Sequence, residues 1–278
     1  MPRDTVEAAL DAYAAEQFNL GAASRDAEVT GLAEEVAALK AKYEPPAMPA
    51  LAEDFADLAA FSVYNGAGAY SQQGVRLDDN AAVAGGILTV SCRPVIAKTA
   101  IGGHTLAVGD YAAGGVMHRA IRGPGTRYTM QLRMDASQGT RAVALLWPYQ
   151  MGWPEGGELD FTECGADLAD RHSTAITNHW YDPSKVSDTN KNGNAQKVIH
   201  FTHDFTQWTD VEVLWQPGLF VVTIDGTEAA RYTEHVPTNQ MKLAFQTAVA
   251  GGGQAPTFKG APRTPGCIQV RALRIYDA

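Results

Sequence analysis

The stretch Trp153-Pro154-Glu155-Gly156-Gly157-Glu158-Leu159-Asp160-Phe161-Thr162-Glu163 carries three carboxylates within six residues, interleaved with apolar side chains. Side chains of a β-strand alternate between its two faces. Glu158 and Asp160 therefore share one face, and Leu159 and Phe161 the other. Glu163 comes five residues after Glu158, so a regular strand turns it away from the first two acids. One extra residue, a β-bulge near Phe161 or Thr162, returns it to their side. The stretch then reads as a strand with an apolar face toward a core and three acids lining a cleft. Massed like charges repel, so at least one of these acids is expected to keep its proton above the usual carboxylate range. An acidic solvent face or a calcium loop carries similar residues; the interleaved Leu159 and Phe161 argue against a plain surface loop.

Outward from this strand, the chain between 51 and 278 has the style of an all-β domain. Strand-like runs lie at Gly86–Cys92, Tyr128–Met134, Val211–Trp215, Phe220–Ile224 and Ile268–Tyr276. Turn signals separate them, among them Asp225-Gly226. No helical period of comparable length interrupts them, and about 228 residues of strand and turn fit a single β-sandwich or barrel. Residues 183–197 and 250–266 are rich in Gly, Pro, Asn, Lys and Thr and read as exposed loops of the kind that border binding clefts.

The first 44 residues differ. They are rich in alanine and glutamate, and Val29, Leu32, Val36, Leu39 and Tyr43 follow the 3-4-3-4 spacing of a coiled-coil seam. With Val29 at position a, Glu35 falls at g and Lys40 at the following e, where they pair between parallel chains. The earlier run Val6, Leu10, Tyr13, Leu20 is broken at Gly21, so only about two clean heptads remain. The expectation is an α-helical segment over 1–44 that forms a homo-oligomer, with a helix packed on its own domain as the alternative. Residues 45–50, with Pro45, Pro46 and Pro49, read as a semi-rigid linker, and 51–278 as the sandwich domain.

Composition narrows the partners. Of the 278 residues, 45% are hydrophobic and 19% charged, and the net charge is −9. That is enough apolar material for a sizeable core, and the wrong sign for a nucleic-acid surface. No run of 18 apolar residues exists, so no membrane span is expected. The three cysteines, Cys92, Cys164 and Cys267, are far apart and odd in number; buried thiols are expected rather than a disulfide framework. His200 and His203 lack a third ligand at suitable spacing, so neither a metal site nor a cofactor is expected.

Paired carboxylates on one strand suit glycoside hydrolysis, because a retaining glycosidase needs a nucleophile and a protonated acid about 5–5.5 Å apart. Glu158 takes the part of nucleophile, Glu163 that of acid/base, and Asp160 holds Glu158 and tunes both. Trp153 beside the strand is the first choice for a sugar platform. His179 and Trp180, in Asn178-His179-Trp180, and Gln246, a polar residue in an apolar strand, are further candidates for substrate contact. Trp208 and Trp215 are expected in the core.

Glu158-Leu159-Asp160-Phe161-Thr162-Glu163 resembles the E-x-D-x-x-E motif of glycoside hydrolase family 16, in the bulged branch that includes laminarinase-like enzymes. Leu145-Leu146, Trp153-Pro154 and Gly157 resemble its approach to the catalytic strand. Downstream, Asp204–Trp208, Trp215, Ile224-Asp225-Gly226 and Met241–Thr247 resemble its later pattern, and the likeness spans roughly residues 54–276. It implies a concanavalin-A-like jelly-roll sandwich with a cleft on its concave sheet, and endo-acting, retaining hydrolysis of a β-linked polysaccharide by Glu158, Asp160 and Glu163. Two positions depart from the family pattern. Ala144 stands where a tryptophan is common, with Trp147 nearby as a partial replacement, and Arg271 stands where many members have a calcium-binding aspartate, which argues against structural calcium here.

The N-terminal segment is acidic and lacks the apolar core and cleavage site of a secretory signal. An oligomerising helix ahead of a glycan-active domain suits a phage tail protein that contacts other tail components and acts on the host envelope, and the alanine-rich composition points to an actinobacterial host. A secreted extracellular enzyme is the alternative location. A non-catalytic glycan-binding adhesion module and a structural tail subunit are the alternative functions.

Overall fold

The computed structural model describes residues 48–67, 74–101, 103–165, 171–252 and 254–277. The helix expected over 1–44, and residues 45–47 of the linker, lie outside the described residues. In chain order the strands that position the site are β1 (Leu51–Glu53), β2 (Phe61–Val63), β3 (Ala81–Ala84), β4 (Ile87–Pro94), β5 (Gly115–Arg122), β6 (Thr126–Met134), β7 (Thr140–Pro148), β8 (Glu158–Cys164), β9 (Ser173–Tyr181), β10 (Asn194–Thr202), β11 (Thr209–Gln216), β12 (Leu219–Ile224), β13 (Thr227–Tyr232), β14 (Met241–Val249) and β15 (Gly266–Asp277).

These strands form an all-β sandwich of two antiparallel sheets. One sheet runs β13-β12-β11-β6-β15-β4-β3, with β1 also paired to β15. The other, which carries the cleft, runs β10-β9-β8-β7-β14-β5-β2. Alternation decides what lies between them. Tyr128, Met130, Leu132, Val211, Val213, Trp215, Ile268 and Val270 point inward from the first sheet. They meet Ala142, Ala144, Leu146, Leu159, Phe161, Ile176, Leu243 and Phe245 from the second in one continuous core. Burying a large apolar side chain contributes about 1.5–3 kcal/mol, so this two-sided register fixes which residues of the cleft sheet are left to face outward.

The strands expected at 86–92, 128–134, 211–215, 220–224 and 268–276 all form; the first starts one residue later, at Ile87, and each runs on past the expected bounds at one or both ends. Asp225 and Gly226, at φ 45° and 76°, make the tight turn from β12 to β13. The loop expected over 183–197 ends earlier, because β10 begins at Asn194 and pairs in register with β9. The expected loop 250–266 contains the short hairpin Thr257–Phe258 and Ala261–Pro262. Trp215 is fully buried in the core. Trp208 is not: it lies partly exposed against the side chains of Arg133 and Arg271. The three thiols are buried, and burial pushes each up to about 12, so they stay protonated and inert.

Candidate active site

The register of β8 slips by one residue in the middle of the acidic motif. Against β7, Leu145 stands opposite Asp160 and Ala144 opposite Thr162, which leaves Phe161 without a partner. Against β9, Thr177 faces Asp160 and Ala175 faces Glu163. Three residues of β8 thus span two of its neighbour. The bulge turns Leu159, Phe161 and Cys164 into the core and brings Glu158, Asp160 and Glu163 together in one cleft of about 1040 Å³. Gly157 leads into this strand at φ +70°, and a Cβ there would run into the Pro237 ring and the backbone carbonyl of His179. Only glycine accepts both the left-handed backbone and the close approach.

The cleft crosses five neighbouring strands. Gln196, Val198 and His200 line it from β10, Ala175, Thr177 and His179 from β9, Arg141, Val143 and Trp147 from β7, and Gln246, Ala248 and Val249 from β14. Ala250 and Gly251 close one wall. They are held by Arg263, whose Nη2 donates to the Ala250 carbonyl at 2.7 Å.

A chain of polar contacts runs through the acids. Asp160, only 4% exposed, lies with Oδ2 3.3 Å from His179 Nε2. His179 Nδ1 lies 3.1 Å from the side-chain oxygen of Asn194. An amide oxygen only accepts, so Nδ1 carries a hydrogen. The contact at Nε2 then holds one proton, either as imidazolium facing carboxylate or as neutral imidazole accepting from a protonated Asp160. Asn194 is itself set by Asn190, which donates from Nδ2 to the Asn194 carbonyl at 2.8 Å and accepts from its N–H at 3.2 Å. On the other side Asp160 hydrogen-bonds Glu158, and the Trp153 indole lies beside Glu158.

Burial pushes Glu158 well above the usual carboxylate range. The Asp160 charge pushes the same way, His179 opposes it, Glu163 adds to the rise and Trp153 offsets part of it. Burial likewise lifts Asp160 well above its usual range, reinforced by Glu163 and opposed by its bond to Glu158. The two inner acids therefore compete for protons that solvent-exposed carboxylates release earlier. Glu163 is more open, its side chain 32% exposed, with Arg141 Nη1 3.8 Å from its Oε1.

Most of the residues singled out from the sequence meet here: Glu158, Asp160, Glu163, Trp153, His179 and Gln246 all line the cleft. Trp180 does not. Successive residues of β9 face opposite ways, so with His179 in the cleft Trp180 turns behind the sheet. There its ring stacks on His235 with centroids 4.4 Å apart and planes within 4°. Ala144 is likewise on the core side, with Trp147 in the cleft; a tryptophan at 144 in this backbone would point away from the cleft. His200 lines the cleft while His203 pairs with Asp225 at 3.4 Å, so the two share no site.

Three contributors were missed by sequence reasoning. Arg76, 6% exposed, donates from Nη2 to Gln246 Oε1 at 2.9 Å. Its guanidinium lies 5.0 Å from the Tyr64 ring, and burial pushes the Tyr64 hydroxyl up to about 12, with Glu158 adding to the rise, so it remains a donor. Asn194 orients His179. All three are distant in sequence from the acidic strand and carry no local pattern. Glu158, Asp160 and His179 also offer one ligand atom each within 4.8 Å of one another, a geometry that can hold a cation.

The fold is shared with solved glycoside hydrolase family 16 endo-glucanases and laminarinases. The catalytic domain of an endo-1,3-β-glucanase (laminarinase) from Thermotoga petrophila aligns with a TM-score of 0.66 at 16% identity, covering 82% of this chain and 97% of that one. An endo-β-1,3-glucanase from Pyrococcus furiosus aligns with a TM-score of 0.64 at 15% identity, over 83% and 95% of the two chains. A glycoside hydrolase family 16 endo-glucanase from Bacteroides ovatus aligns at 0.63 and 12% identity, over 81% and 99%. No family model matches the chain, and no curated protein matches it in sequence.

Proposed function

We propose that this protein is a retaining endo-glycosidase that cleaves a β-linked polysaccharide. The observation that carries the proposal is the bulge at Phe161, which gathers Glu158, Asp160 and Glu163 on one cleft face. The fold shared with endo-β-glucanases supports it. The cleft spans five strands, roughly 19 Å at the usual strand spacing, which suits several units of a polymer lying across it.

In this reading ionised Glu158 attacks the anomeric carbon while the glycosidic C–O bond breaks and the leaving oxygen takes a proton from Glu163. The resulting glycosyl ester on Glu158 is then attacked by water. Glu163, now a carboxylate, takes the water proton, and Glu158 departs as a carboxylate. Two inversions retain the configuration. Asp160 hydrogen-bonds Glu158 and takes up part of the charge change, His179 holds Asp160, and Arg141 stabilises the carboxylate that Glu163 becomes. Trp153 stacks on a sugar beside the nucleophile, and Gln246, braced by Arg76, meets sugar hydroxyls.

The test is release of reducing ends from β-glucans, galactans and actinobacterial cell-wall polysaccharide, with wild type beside Glu158→Gln, and proton NMR of the first product anomer. Release by wild type alone, with the β-anomer formed first, is the expected result. Glycan binding without turnover by wild type would replace the proposal with an adhesion role, and neither binding nor turnover would leave a structural one.

The coiled-coil spacing of Val29, Leu32, Val36, Leu39 and Tyr43 supports a second proposal: the chain oligomerises through residues 1–44 and serves on a phage tail. Light scattering of the full chain beside a chain starting at Leu51 tests the first part, and a monomer in both overturns it. Mass spectrometry of purified virions tests the second.

A further inference from the structure

The sheet that does not carry the cleft has a polar outer face. Alternation turns Arg127, Gln131 and Arg133 outward from β6. A bulge at Ala272, φ 55°, turns both Arg271 and Arg274 outward from β15. Two of these four arginines are neutralised. Arg127 Nη1 lies 3.4 Å from Glu212 Oε2, and Arg274 Nη2 lies 2.6 Å from Asp54 Oδ1.

Arg133 and Arg271 have no such partner among the described residues. Each gives its Nε to a neutral glutamine: Arg133 to Gln269 Oε1 at 2.6 Å, Arg271 to Gln131 Oε1 at 2.7 Å. The glutamines are pinned in turn, Gln269 donating to Thr89 Oγ1 at 3.1 Å and Gln131 to Asp210 Oδ1 at 2.7 Å. Both guanidiniums meet one ring, that of Trp208, at 4.2 Å for Arg271 and 5.2 Å for Arg133.

Gathering two unpaired cations around one partly exposed aromatic ring costs self-repulsion, which an anion between them relieves. Their Nε groups are fixed and their terminal Nη groups make no hydrogen bond among the described residues, so the donors are held ready before any ligand arrives. The flat fork of a guanidinium matches a carboxylate, and an indole offers a sugar ring its apolar contact.

We propose that this patch is a second binding site, separate from the cleft, for an acidic polysaccharide, with Arg133 and Arg271 holding a sugar carboxylate beside Trp208. That the partner is a polysaccharide rests on the glycosidase reading of the cleft; that it is anionic rests on the two arginines. A site on the opposite sheet keeps the protein on a polymer while the cleft releases product.

The experiment uses the full chain carrying Glu158→Gln, so that no turnover intervenes, in affinity electrophoresis and calorimetry. The probes are polygalacturonate, a neutral β-1,3-glucan and inorganic polyphosphate. Polygalacturonate is expected to bind, and to weaken as salt rises from about 0.1 M to about 1 M, where screening shortens from about 10 Å to about 3 Å. Adding Arg133→Gln and Arg271→Gln is expected to weaken it at least about tenfold without altering retention by the neutral glucan. Arg133→Lys with Arg271→Lys keeps the charge and is expected to fall between, which guards against a folding defect in the glutamine pair, and circular dichroism checks each variant. No binding of polygalacturonate, equal binding by the glutamine pair, or binding of polyphosphate alone overturns the proposal. Failure of the wild type to cleave any polymer removes the cleft reading and leaves this binding result to stand or fall by itself.

Discussion

His179 stands directly across the sheet from Glu158, yet its Nε2 reaches Asp160 Oδ2, at 3.3 Å. The imidazole thus touches the acid beside the nucleophile candidate while its charge bears on Glu158 directly. Its angle is set by Asn194 at Nδ1.

Asn194→Leu should therefore reduce kcat by about tenfold, the loss of roughly 1.4 kcal/mol, with little change in KM. Asn194→Asp should instead favour the imidazolium and move the pH profile. Nitrogen-15 NMR of the His179 ring reads the tautomer directly; a ring unchanged in both variants would contradict the role given to Asn194.

The pH profile should show its acid limb above the ordinary carboxylate range. Glu158 must be ionised to attack, and burial with the neighbouring Asp160 charge raises its pKa. Activity should fall as pH drops through that raised value, and an acid limb at the usual glutamate pKa would count against Glu158 as nucleophile.

Stability follows the same shift with the opposite demand. For a carboxylate whose folded pKa is raised, the favourable contribution is complete below the unfolded pKa and is lost as pH rises through the folded one. Asp160, lifted chiefly by burial and then by Glu163, is such a group. Asp160→Asn should raise the melting temperature near neutrality by a few degrees and give little gain at pH below the usual aspartate range. Calorimetric scans across pH decide it, and the same variant should lose activity.

Gly157→Ala should cost about 1–3 kcal/mol, since it combines positive φ with collision at Pro237 and the His179 carbonyl. Urea denaturation measures the cost. Because the collision lies at the start of β8, kcat/KM should fall beyond what the lost stability explains.

The two tryptophans singled out near the motif should behave differently. Trp153→Ala removes a cleft wall beside Glu158 and should lower kcat/KM at least about tenfold. Trp180→Ala loses a stack on His235 worth about 0.5–1.5 kcal/mol and should lower the melting temperature with kcat/KM nearly unchanged. Steady-state kinetics beside thermal scans separates them.

The acidic strand was legible because its information is local. Alternation and one bulge follow from the order Glu158-Leu159-Asp160-Phe161-Thr162-Glu163, and the all-β style from strand and turn signals. Trp180 was misread because His179 and Trp180 are adjacent in a strand and only one of two such neighbours can face a cleft. Trp208 was expected in the core, and its true setting depends on Arg133 and Arg271, brought beside it by pairing between distant strands. Arg76, Tyr64 and Asn194 escaped for the same reason: each meets a cleft residue, or a neighbour of one, through a loop or register that the local sequence does not encode. The boundary of β10 was missed because Asn194 to Lys197 have loop composition, and pairing with β9 overrides it.

The bulged strand has one more consequence, for how such a protein changes over time. Glu158, Asp160 and Glu163 are spaced by the covalent geometry of six consecutive residues and one register slip, not by the packing of separate loops. They move as a single cassette. The cleft side chains of β14 lie outside this cassette, whereas Asn190 in the loop at 183–193 and Asn194 of β10 bear on it by way of His179. A chain built this way can diverge far in sequence and change the lining of its cleft while the spacing of its acids stays the same.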